Sequence, residues 1–299
     1  MYRPPAFRED RIDVLVDLAM HSQGGRMLLF ARKPAPVQIT YLAYCSTTGL
    51  DTMDYRLTDP YFDPPDGDDA CYTERSIRLP ETYWCYPVPE TAPEPGALPA
   101  RSAGHITFGC LNNSVKVNAR VIDTWAAILH AVQDSRILLH SPEGSHRMRM
   151  IESLERLGVD RARIEFVGRV PMPKYFEAYQ RIDIALDPFP FAGGTTTCDA
   201  LWMGVPVASL AGRTAVSRAG FSVLSNIGAG EWVVRIPEQY IQVAIQLAAD
   251  LSRLQGLRST LRGRMRRSPL MDAPRFARNV EAAFRRAWRE WVTARAASA

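Results

Sequence analysis

The later two thirds of the chain alternate short apolar runs with stretches whose apolar residues recur at helical spacing. The apolar runs predict strands, and the stretches between them predict helices. This alternation is typical of a parallel sheet with helices on both faces, which binds ligands at the carboxyl ends of its strands, usually at a switch point. The predicted strands are His105–Cys110, Arg136–His140, Ile164–Val167, Asp183–Leu186, Pro206–Leu210 and Trp232–Val234; the predicted helices are Asn118–Val132, Gly144–Leu157, Lys174–Gln180, Thr195–Met203 and Ser217–Asn226.

The first hundred residues show a weaker pattern. Two apolar, β-branched runs, Arg11–Ala19 and Ala35–Tyr44, predict strands, and a turn followed by a helix at Met27–Arg32 separates them. The chain from Cys45 to Arg101 is rich in proline, which favours loops, one short strand at Tyr72–Leu79 and a linker between domains.

The end of the chain predicts helices only. Its apolar residues recur every third or fourth position, which predicts a stripe that docks on the body of the protein. The stripe consists of Phe276, Val280, Phe284, Trp288 and Trp291.

The difference in pattern along the chain predicts two domains. The first comprises residues 1–100 with a linker, and the second comprises residues 101–299 with the C-terminal helices.

Composition narrows the class of protein. A chain of 299 residues with 46% hydrophobic content can form the cores of two domains. No run of about 18 apolar residues predicts a membrane span, and the N-terminus lacks the apolar segment of a secretory signal. The five cysteines are scattered and never form a CxxC pair, which favours a reduced, cytoplasmic protein without a zinc site.

Charge is distributed unevenly. The net charge is +4, but from Leu251 onward twelve arginines face three acidic residues. Such a tail either grips nucleic acid or forms the solvated face of helices. We favour helices because the tail lacks the glycine and aromatic residues typical of RNA-binding segments. Nucleic acid and membranes are therefore not predicted as partners.

The stretch DPFPFAGGTTTCDALWMG, Asp187–Gly204, carries the clearest chemistry. It runs from a strand end through a glycine loop into a helix, whose first N–H groups and partial positive charge suit an anion. The glycines allow close approach, and hydroxyl donors follow them. A simple threonine N-cap is the alternative, but three β-branched residues in a first turn are poor helix formers. The candidate phosphate-binding residues are Gly193, Gly194, Thr195, Thr196 and Thr197. Asp199 is expected on the same helix face as Thr195 and Thr196. It is either an acceptor for the hydrogen bond of a ribose hydroxyl or a negative charge that interacts favourably with the helix dipole.

A second strand end, FGCLNNSVKVN, also leads into a helix. Lys116 lies near that helix start. A cation at this position interacts unfavourably with the helix dipole, so the helix itself does not favour a lysine there. The diphosphate of a ligand would account for the presence of Lys116. Asn112 and Asn113 are either turn residues or ligand contacts. One lysine and a helix N-terminus can neutralise a diphosphate, and we predict neither a metal ion nor a cofactor.

Two further residues are candidates with open alternatives. Tyr175, at a helix start, either stacks on a base or belongs to the core. His21 follows a buried strand and precedes Gly24 and Gly25, which places it at a strand carboxyl end in the first domain, where it is a candidate catalytic residue.

Three blocks of sequence resemble the catalytic region of the O-GlcNAc transferase / SPINDLY family of protein glycosyltransferases. They are ARKPAPVQITYLAYCSTTGLDTMDYRLTDP, FGCLNNSVKV and LDPFPFAGGTTTCDALWMGVPV, and the resemblance extends from about Arg11 to Trp291. It implies an α/β, GT-B-like architecture of two Rossmann-like lobes. It also implies a metal-independent, inverting transfer of a sugar from a nucleotide diphosphate donor, such as UDP-GlcNAc, to serine or threonine of an acceptor protein.

The resemblance assigns roles to particular positions. Lys116 matches the lysine that contacts the donor diphosphate, Thr195 and Thr196 match the threonines at the phosphate-binding helix, and Asp199 matches the acid that holds the ribose. Asn113 stands where relatives have a glutamine beside the phosphates.

Other positions depart from the animal enzymes. Gly194 and Tyr175 replace two histidines, the second of which stacks on the base. The chain is in this respect similar to SPINDLY-like proteins, whose plant members use GDP-fucose, so the donor stays open. The resemblance also implies that the chain begins inside the first lobe, leaving that lobe incomplete and without tetratricopeptide repeats. The alternative functions are therefore a nucleotide-sugar-binding module without catalysis and, less favoured, a nucleic-acid-binding protein.

Overall fold

The computed structural model describes residues 9–42, 44–65, 67 and 69–297. The chain forms two compact units, the first comprising Met1–Cys85 and Asp272–Ala299, and the second comprising Tyr86–Met271. We call them unit 1 and unit 2. The predicted boundary at residue 100 falls inside unit 2. The end of the chain, which was predicted in the second domain, belongs to unit 1.

Unit 1 contains a parallel sheet of four strands in the order β1-β2-β3-β4. A short helix, α1 (Met27–Phe30), connects the first two strands. Buried residues such as Ile39 and Leu57 form the centre of the sheet's apolar core. The strands are β1 (Val14–Asp17), β2 (Val37–Thr40), β3 (Tyr55–Thr58) and β4 (Arg75–Arg78).

Strand β3 was not predicted, because only one strand was expected between Cys45 and Arg101. It is buried along its whole length although it contains a charged residue, Arg56. The guanidinium of Arg56 forms an ion pair with Asp63 at 2.6 Å, and both side chains are nearly inaccessible to solvent. A buried arginine with its own partner interrupts the apolar pattern on which strand prediction depends.

Unit 2 contains six parallel strands and most of the helices. Every strand and helix predicted for this part of the chain is present, with ends that differ by at most two residues. The strands are β5 (Thr107–Cys110), β6 (Arg136–His140), β7 (Ile164–Val167), β8 (Ile184–Leu186), β9 (Val207–Leu210) and β10 (Val233–Val234). The helices are α2 (Pro99–Ala103), which was predicted as linker, α3 (Ala119–Ala131), α4 (Ser145–Arg156), α5 (Met172–Ala178), α6 (Thr195–Trp202), α7 (Ala219–Asn226), α8 (Pro237–Ala248) and α9 (Leu251–Arg266).

The strand order of unit 2 is β10-β9-β8-β5-β6-β7. The chain starts in the middle at β5, builds outwards through β6 and β7, and then returns to place β8 on the other side of β5. The order therefore reverses between β5 and β8, which is the place where sheets of this kind usually bind a ligand.

The last helix, α10 (Ala273–Ala297), belongs to unit 1. Its predicted apolar stripe packs against the buried residues of the four-stranded sheet, and Ala283 and Ala287 are buried in the contact. The docking of the stripe is confirmed, whereas its assignment to the second domain differs from the structure. Helical spacing identifies the buried face of a helix but not the sheet that covers it.

Candidate functional site

Two loops meet where the strand order of unit 2 reverses. The first follows β5 and carries Asn112 and Lys116, and the second follows β8 and leads into α6. The Oδ1 atom of Asn112 accepts a hydrogen bond from Thr196 Oγ1 at 2.8 Å and another from Lys116 Nζ at 3.2 Å. One amide oxygen thus brings together the lysine and the threonine that the sequence separates by 80 positions.

Lys116 is held over the second loop. Its ammonium donates to the carbonyl oxygen of Ala192 at 3.0 Å and lies 4.0 Å from the centre of the Phe191 ring. The side chain is half-buried, so its charge is only partly screened by water. The structure therefore places a fixed positive charge beside the start of α6.

The start of α6 has no side-chain cap, since Gly194 occupies the N-cap position. Gly193 precedes it in a confined space, where an added Cβ would lie 2.4 Å from Thr197 Oγ1 and 2.7 Å from Asp187 Oδ1. Thr195 is exposed and Thr196 is half-buried. The uncapped N–H groups, the exposed hydroxyl of Thr195 and the nearby ammonium of Lys116 form a concentrated set of donors for an anion. The hydroxyl of Thr196 donates to Asn112 here, and it reaches an anion only by exchanging that acceptor.

Thr197 does not belong to this set of donors, contrary to the sequence-based prediction. Its hydroxyl is buried and donates to both carboxylate oxygens of Asp187, at 3.1 and 3.2 Å. Asp187 also accepts from Ser209 at 3.0 Å. Burial raises the pKa of Asp187 to about 6, although Ser209, Lys116 and Thr197 act in the opposite direction. This carboxylate joins the second loop to the sheet.

Asn113 takes the turn role, one of the two roles that its residue type left open, and its place beside the phosphates stays a prediction. Its side chain is exposed and accepts from the backbone N–H of Val115 at 3.2 Å, which caps the short 3-10 turn Ser114–Lys116. Its neighbour Asn112 is buried and makes the contacts to Lys116 and Thr196. From the residues alone, both asparagines were candidates as turn residues or as ligand contacts, and the burial of Asn112 and exposure of Asn113 after β5 distinguish them.

Asp199 lies on α6 and is only 6% exposed. Its two oxygens accept hydrogen bonds from two tyrosines, Tyr86 at 2.6 Å and Tyr175 at 2.8 Å. Burial raises the pKa of Asp199, and these two hydrogen bonds oppose the rise. The sequence pointed to Tyr175, as a stacking or core residue, but no motif marked Tyr86.

His21 lies in unit 1, in the turn that follows β1. Asp17 fixes this turn, because its carboxylate accepts from the backbone N–H groups of Ala19 and Met20 and from the hydroxyl of Thr40. The imidazole is exposed and lines a cavity of about 610 Å³ within unit 1. Its role as a catalytic residue stays a prediction.

Other features of the described residues bear on chemistry. None of the five cysteines, all of which lie in the described part of the chain, forms a disulfide. No group of three or more histidine, cysteine, aspartate or glutamate side chains within residues 9–297, positions 43, 66 and 68 aside, is placed to hold a metal ion. None of the helices in the described part of the chain is both long and apolar enough to cross a membrane.

Comparison with known proteins identifies the family of this fold. The model of glycosyl transferase family 41 matches residues 5–87 and 97–280. A protein of Oryza sativa subsp. japonica, named "Probable UDP-N-acetylglucosamine--peptide N-acetylglucosaminyltransferase SPINDLY", is 40% identical over 289 residues, which is 95% of this chain. An Arabidopsis thaliana protein, named "Probable UDP-N-acetylglucosamine--peptide N-acetylglucosaminyltransferase SEC", is 28% identical over 94% of this chain and 30% of its own length.

A solved structure agrees with these relatives. A mutant of the O-GlcNAc transferase of Thermobaculum terrenum superposes with a TM-score of 0.89 and 39% identity over 97% of this chain and 56% of its own. The fold is therefore α/β and GT-B-like, as the sequence predicted. The chain spans 31% of the length of the rice protein, less than a third of that relative.

Proposed function

The chain belongs to glycosyltransferase family 41, and from this premise we propose that it binds UDP-N-acetylglucosamine in unit 2 and transfers the sugar to serine or threonine of an acceptor protein. The name of the rice relative describes transfer of N-acetylglucosamine from UDP-N-acetylglucosamine to a peptide, and the T. terrenum enzyme is named as an O-GlcNAc transferase. The finer statement about this chain depends on its own site.

The observation that carries the proposal is the junction of Lys116 and Thr196 on Asn112, at the uncapped start of α6. In the transfer, the acceptor oxygen attacks the anomeric carbon, the bond from that carbon to the phosphate oxygen breaks, and UDP leaves with the electron pair. Negative charge then develops on the β-phosphate. Preorganised donors stabilise such charge best in a site that is partly closed to water.

We assign the roles as follows. Lys116, Thr195, Thr196 and the N–H groups after Gly194 receive the diphosphate, and Asp199 accepts a ribose hydroxyl. The aromatic ring of Tyr175 packs against the base. His21 is the candidate that takes the acceptor proton, in a reaction that inverts the anomeric centre.

We further propose that this chemistry requires no metal ion or other cofactor, because the lysine and the helix terminus supply positive charge where the leaving group forms. A cytoplasmic location is supported by the five cysteines, which form no disulfide among the described residues. A protein acceptor is preferred to nucleic acid, since the arginine-rich end of the chain lacks the interleaved glycine and aromatic residues typical of RNA-binding segments.

Incubation with radiolabelled UDP-GlcNAc and a cell lysate tests the proposal. We expect labelled proteins. Alkaline β-elimination should release the label from them, as it does for sugars linked to serine or threonine. GDP-fucose is tested in parallel to distinguish the donor. This second donor is needed because Gly194 and Tyr175 stand where the animal enzymes have histidines. Binding of UDP-GlcNAc in calorimetry without any transfer would instead favour a binding module.

A further inference from the structure

Asp199 differs from the other buried carboxylates of unit 2 in its partners. Asp183 accepts from the backbone N–H groups of Thr107 and Ala100, at 2.8 and 2.9 Å, with Arg258 nearby. Asp187 accepts from two hydroxyls and lies near Lys116. Both are therefore tied to the scaffold or compensated by a cation.

Asp199 has neither kind of support. Among the residues that the structure describes, no lysine or arginine forms an ion pair with it, and its partners are the hydroxyls of Tyr86 and Tyr175. An ionised carboxylate has about four acceptor positions. Two hydrogen bonds leave the others available, which is costly for a buried acid unless a further donor arrives.

Tyr86 is the more firmly fixed of the two tyrosines. It is the first residue of unit 2, and its backbone N–H donates to the carbonyl oxygen of Leu270 at 2.7 Å. Its side chain is only 7% exposed and its hydroxyl lies 2.6 Å from Asp199 Oδ1. Tyr175 is half-buried on the short helix α5 and also contacts the hydroxyl of Tyr179 at 3.0 Å. Backbone and side chain together thus anchor Tyr86 beside the acid.

We propose that Tyr86 is a positioning residue for nucleotide binding, which holds the Asp199 carboxylate in the orientation that accepts a ribose hydroxyl. The inference rests on the proposed function, since it concerns the ribose of the same donor. Tyr86 does not touch the ligand itself. It restricts rotation of the carboxylate and stabilises its ionised form, so that the remaining lone pairs point to one place. Tyr175 supports the second oxygen in the same way.

The experiment measures the affinity of the full chain for UDP, 2′-deoxy-UDP and 3′-deoxy-UDP by calorimetry. The parent is compared with Tyr86→Phe and Tyr175→Phe, which each remove one hydroxyl and keep the ring. Tyr240→Phe is the matched control, because its buried hydroxyl donates to the backbone carbonyl of Asp187 at 2.9 Å rather than to a carboxylate. Circular dichroism confirms folding, and the half-buried Tyr175 provides a second variant if Tyr86→Phe fails to fold.

We expect the parent to bind one deoxy analogue at least about tenfold more weakly than UDP. Tyr86→Phe should reduce that discrimination to about threefold or less, Tyr175→Phe should reduce it in part, and Tyr240→Phe should retain it. Full discrimination in Tyr86→Phe, or in Tyr175→Phe if only that variant folds, would overturn the inference. A parent that binds UDP and both analogues equally would overturn it too, together with the ribose contact assigned to Asp199, and would leave the proposed sugar transfer standing. A parent that does not bind UDP would overturn both.

Discussion

The two units build parallel sheets of similar strands, yet their strand ends differ in chemistry. In unit 1 the order β1-β2-β3-β4 runs in one direction, so the described strands contain no reversal. Its buried acid Asp17 is engaged by backbone N–H groups of the following turn. In unit 2 the order reverses between β5 and β8, and Asn112, Lys116 and Thr196 converge there. Strand order, more than strand composition, determines where polar side chains meet.

The largest expected effect concerns the lysine of unit 2. Lys116→Ala should lower sugar transfer by about 100- to 1000-fold, because it removes a preorganised positive charge from the leaving group. The measurement is the initial rate of label transfer from UDP-GlcNAc. Lys174→Ala is the matched control, since that exposed lysine pairs with Glu177 on α5 and should retain the parent rate. Equal losses in both variants would contradict the role of Lys116.

The next effect concerns the glycine of the second loop. Gly193→Ala should destabilise unit 2 by about 2–3 kcal/mol, because the added methyl group would overlap with buried oxygens of Thr197 and Asp187. Urea unfolding measures this change. Gly256→Ala, on the exposed side of α9 with open space around it, should instead be neutral or stabilise the fold by up to about 1 kcal/mol. A neutral Gly193→Ala variant would show that the loop is not confined.

A pH-dependent effect on stability distinguishes Asp187 of unit 2 from Asp63 of unit 1. The pKa of Asp63 is lowered, because its burial, which raises the pKa, is outweighed by the charge of Arg56 and the hydrogen bonds to the carboxylate. The folded pKa of about 6 for Asp187 lies above the ordinary value of 3.8, so the folded state binds the proton more tightly. This contribution to stability is present below about pH 4 and is lost as the pH rises through about 6. Relative to Asp187→Asn, the parent should therefore lose about 3 kcal/mol of unfolding free energy across this window. Parallel stability profiles of the two proteins would contradict the raised pKa.

The smallest effect tests whether unit 1 is independent of the nucleotide. Phe284→Ala should weaken the docking of α10 by about 1–2 kcal/mol, since the ring packs against the core of the first sheet. Amide hydrogen exchange should increase in β2 and β3, and the affinity for UDP should not change. Val292→Ala, an exposed position of the same helix, serves as the control. A weaker UDP affinity in Phe284→Ala would break the contrast between the units.

How far the sequence predicts this molecule also differs between the units. In unit 2 each strand is followed by a helix of ordinary length, so local periodicity was sufficient for the α/β class and for the element bounds. In unit 1 the strand β3 was not predicted because it contains the charged residue Arg56. The charge of Arg56 is compensated by Asp63, which lies in a loop without a regular sequence pattern. The helix α10 was predicted as an element, but the sheet on which it packs is a long-range property.

The candidate site shows the same limit. Lys116 and the Gly-Thr segment were predicted because helix starts impose local electrostatic requirements, which a single stretch of sequence reveals. Tyr86 was missed because it lies 113 positions from Asp199, and only the fold brings them together. Thr197 was misassigned because three adjacent threonines look equivalent in sequence, whereas the helical turn directs the third hydroxyl to Asp187.

The central claim is that the start of α6 and Lys116 together bind a diphosphate. The most direct measurement is the ratio of the affinities for UDP and UMP, determined by calorimetry for the parent and for Lys116→Ala. Because hydrogen bonds to charged groups contribute about 1.5–3 kcal/mol, we expect the parent to prefer UDP by at least about tenfold. The ratio should fall severalfold in Lys116→Ala, because the ammonium is lost while the N–H groups at the start of α6 remain. An unchanged preference in that variant would contradict the account.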